Sequence, residues 1–138
     1  MPQLNRNRYL STAVTIQDRY IYVLGGYEPS VTDIERLDTT NCDQWELIKV
    51  WSNSFEKDIK YWFGACPVSV SEILIFGGKK DGASSSSSYL LDTDSNSITK
   101  TGPLPSKETF YQRTFLCKNG KVYAYGYENE TAYCYSVS

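Results

Sequence analysis

Histidine does not occur anywhere in the 138 residues. Its absence removes the commonest metal ligand and the commonest general base from this stretch of chain. Long apolar runs are missing as well: segments such as Ile73 to Phe76 fall far short of the roughly 20 residues that cross a bilayer as a helix. Positive charge is scattered, Lys79-Lys80 being the longest run of Lys and Arg, and the formal net charge is −2. No electrostatic footprint for nucleic acid or an anionic membrane is therefore present. The N-terminal MPQLNRNRYL has no apolar core followed by small residues, so no secretory signal is read and a cytoplasmic setting is expected. Cys42, Cys66, Cys117 and Cys134 lie 24, 51 and 17 residues apart, a spacing that matches no close-paired zinc or redox motif and is expected to leave thiols.

Twelve tyrosines are present, a residue suited to half-buried pleated surfaces, and the composition leans towards an all-β chain. The decisive feature is an internal repeat. YIYVLGGY (Tyr20 to Tyr27), EILIFGGK (Glu72 to Lys79) and KVYAYGYE (Lys121 to Glu128) share one pattern, a strand running into glycine. Their first glycines, Gly25, Gly77 and Gly126, are 52 and 49 residues apart, a period of propeller-blade size. Tyr9, Tyr61 and Tyr111 fall at equivalent places ahead of them, and RLDTTNCDQW corresponds to LLDTDSNSI, each a strand, an aspartate turn and an apolar residue opening another strand. The pattern predicts strands near 12–16, 20–24, 34–38 and 45–50, then 64–70, 73–76, 88–92 and 97–101, then 113–117, 121–125 and 131–135. Helix formers are consecutive only over 54–61.

With these residues in view the chain resembles the kelch-repeat family, over essentially its whole length. The family pattern is several apolar residues, a double glycine, then a spaced aromatic pair with an aspartate turn. Here these are Tyr20 to Gly26 with Asp38 and Trp45, and Ile73 to Gly78 with Tyr89, Asp92 and Ile98. Departures are Ile98 where the family usually has Trp, Tyr127 in place of a second glycine, and Lys60 and Phe110 where Arg8 holds a basic position. The resemblance implies blades of four-stranded antiparallel sheet: a first over 1–52, a second over 53–104 and an incomplete third over 105–138. Gly25, Gly26, Gly77, Gly78 and Gly126 are expected to be structural, with Asp38 and Asp92 as turn formers and Trp45 as core. GGYEPS and GGKKDG lack the spaced glycines of a phosphate cradle.

Fewer than three blades cannot close a ring that uses about four to eight. The chain is thus expected to be the C-terminal part of a larger propeller, with its exposed faces covered by further blades of the same polypeptide, or else by self-association. The function expected is a non-catalytic protein-interaction scaffold. Candidate partner-binding residues are Tyr27 and Glu28, Lys79, Lys80 and Asp81, and Tyr127 and Glu128 in the loops after the glycines. The linker positions Arg8 and Tyr9, Tyr61 and Trp62, and Tyr111 and Arg113 join them, with blade packing as the other reading of the three tyrosines. The alternative is a catalytic propeller, oxidase- or glycosidase-like, whose active residues lie on other blades. A copper oxidase of this kind needs histidine ligands, and the arginines here lack repeat equivalence. No cofactor or metal is expected, and Ser84 to Ser88 is expected to be a flexible loop, with nothing in the sequence to support its phosphorylation.

Overall fold

The computed structural model describes residues 2–27, 33–50, 61–105, 114–117, 119–126 and 130–136. Among these, all regular structure is strand. The first sheet is an antiparallel meander of β1 (Thr12–Ile16), β2 (Tyr20–Leu24), β3 (Ile34–Asp38) and β4 (Glu46–Ile48). A second four-stranded sheet follows, from β5 (Gly64–Pro67), β6 (Glu72–Phe76), β9 (Ser88–Asp92) and β10 (Ser97–Lys100). A two-stranded hairpin, β7 (Lys79–Lys80) and β8 (Ala83–Ser84), is inserted between β6 and β9. The third sheet has β11 (Thr114–Cys117), β12 (Lys121–Gly126) and β13 (Thr131–Ser136).

Strand register makes the repeat concrete. Leu24 pairs with Thr12 and Tyr20 with Asp38; in the second sheet Phe76 pairs with Gly64 and Glu72 with Asp92. Aligned by strand register, Val23 matches Ile75, Glu35 matches Tyr89, Leu37 matches Leu91 and Trp45 matches Ile98. Both turn aspartates act alike: Asp38 Oδ1 accepts from Thr40 N at 3.0 Å, and Asp92 Oδ1 accepts from Asp94 N at 2.9 Å.

Alternation along each strand divides the apolar side chains between two faces. Val14, Tyr22, Leu24, Ile34 and Ile48 of the first sheet meet Ala65, Ile73, Ile75, Tyr89 and Leu91 of the second in one buried cluster. The other face of the second sheet brings Cys66 and Phe76 onto Val122 and Ala124 of the third. Full burial of one such aliphatic or aromatic side chain stabilises by roughly 1.5–3 kcal/mol, so these inter-sheet contacts set the order of the array. At the start of each sheet the first strands approach one another: Thr12 Oγ1 donates to Phe63 O at 3.0 Å, and Gln17 Nε2 donates to Val70 O at 3.0 Å.

Several expectations need correction. The strand foreseen over 64–70 ends at Pro67, because 68–71 form the turn, with Val68 N donating to Glu72 O at 2.9 Å. Lys79 to Ser84 is not an open loop. Asp81 (φ 51°) and Gly82 (φ 82°) make the two-residue turn with both φ positive that matches strand twist, and so a hairpin forms. The serine run is not a free linker either. Ser84 belongs to β8, Ser87 O accepts from Gly77 N at 3.0 Å, Ser85 N donates to Gly78 O at 2.8 Å, and Ser88 is buried at the start of β9. The possible helix near 54–61 lies, but for Tyr61, outside the described residues.

Candidate functional site: an aromatic rim

The glycines after β2 and β6 bring two stretches of chain together. Gly26 has φ 133°, and a Cβ there would sit 2.9 Å from Arg8 Cβ. Gly78 has φ 90°, and its Cβ would sit 2.7 Å from Phe63 Cβ and 2.8 Å from Tyr61 O. Only a residue without a side chain allows both this backbone and this approach. The outcome is the same in both units. Tyr27 N donates to Tyr9 O at 2.7 Å; Lys79 N donates to Tyr61 O at 2.8 Å, and Tyr61 N to Lys79 O at 3.2 Å. One residue further on, Leu10 (φ 59°) and Trp62 (φ 56°) both adopt left-handed backbone, turning the chain from this bridge into the first strand of its sheet.

The two bridges sit side by side, and their rings touch in series. Tyr9 and Tyr27 have centroids 5.2 Å apart, Tyr27 stands edge-on to Tyr61 at 5.1 Å, and Tyr61 stands edge-on to Trp62 at 5.5 Å. Lys79 Nζ lies 5.6 Å from the centre of the Trp62 ring. Tilted and edge-on pairs at these distances are favourable aromatic geometry, and a lysine over tryptophan adds cation–π attraction. Tyr61 is anchored, 7% exposed, its hydroxyl accepting from Gly82 N at 3.2 Å. Tyr9 and Tyr27 are about half exposed, at 50% and 49%. Tyr9, Tyr27, Tyr61, Trp62 and Lys79, chosen from separate segments of the sequence, thus form one continuous surface. Lys80 and Asp81 extend it along the hairpin.

Arg8 has a different place. Its guanidinium and the Glu35 carboxylate are both fully enclosed, with Arg8 Nη2 2.7 Å from Glu35 Oε1 and Arg8 Nη1 donating to Gly25 O and Asp33 O. Glu35 also accepts from Asn5 N at 2.6 Å and Arg6 N at 3.2 Å. Arg8 is therefore a frame under the rim and presents no charge to a partner. Glu35 was not singled out in the sequence. A carboxylate within a strand next to Ile34 and Leu37 was the available signal. Trp45 closes the same region, donating from Nε1 to Pro2 O at 3.2 Å and packing with Val23 and Leu37.

On the exposed side of the first sheet, Asp38 is held well below the usual carboxylate range, first by the side-chain hydrogen bonds from Arg19 and then by those from Thr40. Asp92 is also lowered, chiefly by the backbone hydrogen bond from Asp94. Among the described residues no group of three acidic or cysteine side chains could hold a metal ion. Glu28, Tyr111, Arg113, Tyr127 and Glu128 lie outside the described residues.

Residues 8–49 match the family model of the Kelch motif. The first sheet with its Arg8 linker thus matches a kelch motif, and the second sheet repeats its four-stranded antiparallel form among the described residues. Among curated proteins none matches the chain.

Proposed function

We propose that this chain is a non-catalytic protein-binding scaffold and that the aromatic rim is its contact surface. The observation carrying this reading is the uninterrupted series Tyr9, Tyr27, Tyr61 and Trp62 with Lys79 beside it, built across two sheets on backbone bridges. Large, stiff aromatic side chains bury much area at low entropic cost, which is why they dominate interface energetics. Kelch repeats commonly serve such interactions, and the partner proposed is a protein. A cytoplasmic setting belongs to the same reading, supported by Cys42 and Cys134 as exposed thiols. Further blades complete the ring around the three sheets.

Tyr9→Ala and Tyr27→Ala together test the site. Proteins cross-linked to the wild-type chain in an extract are identified by mass spectrometry and compared with those of the variant. The expected result is loss of specific partners with the melting curve retained. An unchanged partner set would remove the rim as the contact surface, and turnover of a substrate by the purified chain would remove the scaffold reading.

A further inference from the structure

Tyr9 and Tyr27 meet in a way that favours chemistry between the rings themselves. Their centroids are 5.2 Å apart with the planes tilted by 55°, and both side chains are about half exposed. The backbone holds the pair in register: the two residues form an antiparallel bridge, with Tyr27 N donating to Tyr9 O at 2.7 Å. Tyr27 is as close to Tyr61, at 5.1 Å, but that pair is edge-on at 86°, so the edge of one ring faces the plane of the other. Tyr61 is also 7% exposed, and its hydroxyl accepts from Gly82 N. A dissolved oxidant therefore has access to Tyr9 and Tyr27, while Tyr61 is shielded and anchored.

We propose that Tyr9 and Tyr27 are an oxidative modification site, joined as dityrosine by hydrogen peroxide acting through a peroxidase. Each phenol gives up one electron and one proton and becomes a phenoxyl radical. The two radicals pair in a bond between ring carbons next to the oxygens, and the hydrogens on those carbons move to the oxygens, which restores both phenols. The peroxide takes up both electrons and both protons and leaves as two waters, so the chain loses two hydrogens and gains one carbon–carbon bond. Exposed side chains change rotamer within picoseconds to nanoseconds, which suffices to bring two ring edges together from 5.2 Å. Held on one bridge, each ring sees the other at a local concentration of about millimolar or more, roughly a thousandfold above that of a second chain at micromolar concentration. Coupling within the chain therefore outruns coupling between chains. The new bond fastens the linker ahead of β1 to the residue after Gly26, closing β1 and β2 into a covalent loop. It restricts the unfolded chain in the manner of a disulfide. This chemistry needs only the pair and an oxidant, and is independent of any partner of the rim.

The full chain at micromolar concentration is treated with hydrogen peroxide and a peroxidase, then digested with trypsin. Cleavage after Arg8, Arg19 and Arg36 releases residues 9–19 and 20–36, and the expected product is these two peptides joined, two hydrogens lighter than their sum. Fragmentation places the bond on Tyr9 and Tyr27, and not on Tyr20 or Tyr22. The cross-linked chain remains a single chain on a denaturing gel and melts at a higher temperature than the untreated one. Tyr9→Phe and Tyr27→Phe keep the rings, and each should lower the yield of the joined peptides by about tenfold or more, whereas Tyr123→Phe should leave it within about twofold. In urea above the unfolding midpoint the share of this pair among all dityrosine products should fall by about tenfold, a comparison that needs no variant. Oxidation that joins other tyrosines or separate chains in preference to this pair overturns the proposal. An equal share for the pair in the folded and the unfolded chain overturns it as well.

Discussion

Gly78→Ala separates two reasons for a glycine, because the same chain contains its own controls. At Gly78 φ is +90° and an added Cβ falls 2.7 Å from Phe63 Cβ, 2.8 Å from Tyr61 O and 3.0 Å from Phe63 Cα. Left-handed backbone costs an L-residue roughly 1–2 kcal/mol, and overpacking adds roughly 1–3 kcal/mol. About 3 kcal/mol in total is a large share of typical domain stabilities of roughly 5–15 kcal/mol. Gly82 has a similar φ of +82° with nothing within 4 Å, so Gly82→Ala meets the torsional cost alone. Gly102 also has open space around it, with no such backbone requirement, and Gly102→Ala should be near neutral. Urea unfolding followed by tryptophan fluorescence gives all three. With slopes of roughly 1–3 kcal/mol per molar, Gly78→Ala should lower the midpoint by about 1–3 M, clearly more than Gly82→Ala. If Gly78→Ala and Gly82→Ala agree within about 0.5 kcal/mol, the contact with the Tyr61–Phe63 backbone is no constraint and the account of the bridge is wrong.

Arg8→Met leaves the enclosed Glu35 carboxylate without its cation and should destabilise by about 3–5 kcal/mol, whereas Arg8→Met with Glu35→Met should cost markedly less; a thermal-melt double-mutant cycle reads the difference. Because the Asp38 pKa is depressed on folding, its contribution is complete at neutral pH. It starts to fall as the pH drops through about 4 and disappears below the folded value. The Asp38→Asn variant should therefore melt below the wild type near pH 7 and show a flatter Tm-versus-pH curve on the acid side, the two curves converging at low pH. Tyr123 and Tyr125 stand 38% and 37% exposed on the outer face of the third sheet, at the positions where Leu74 and Phe76 are covered. Tyr123→Arg with Tyr125→Arg should reduce self-association of the isolated chain in light scattering without lowering its melting temperature.

Repeat spacing made the strands and the pairing of segments legible, since a period near 50 residues aligns whole supersecondary units even where individual residues differ. Gly25-Gly26 and Gly77-Gly78 marked the bridges for the same reason. What the spacing does not carry is contact between units. The meeting of Tyr27 with Tyr61 depends on how the first sheet lies against the second, and nothing local to either tyrosine encodes it. The hairpin at Lys79 was missed although its Asp81-Gly82 turn is a strong local signal, because the neighbouring serines read as a flexible tract. Those serines are ordered by backbone hydrogen bonds to Gly77 and Gly78, to which a composition argument is blind. Arg8 was noticed as a cation and assigned to the surface; its burial follows from Glu35, a partner 27 residues away.

Tyr27 and Lys79 occupy the same repeat position, one an aromatic and the other a cation, yet the hydrogen bonds that hold them, 2.7 Å and 2.8 Å long, are alike. Those bonds run from backbone to backbone and do not depend on which side chain the residue carries. Selection is therefore able to exchange the outward residues of the rim one at a time while the sheets beneath remain as they are. Duplication of the unit multiplies such positions, and each copy is then free to drift in its surface chemistry. The outward chemistry of the rim is thus open to change by single substitutions, with no change of fold needed.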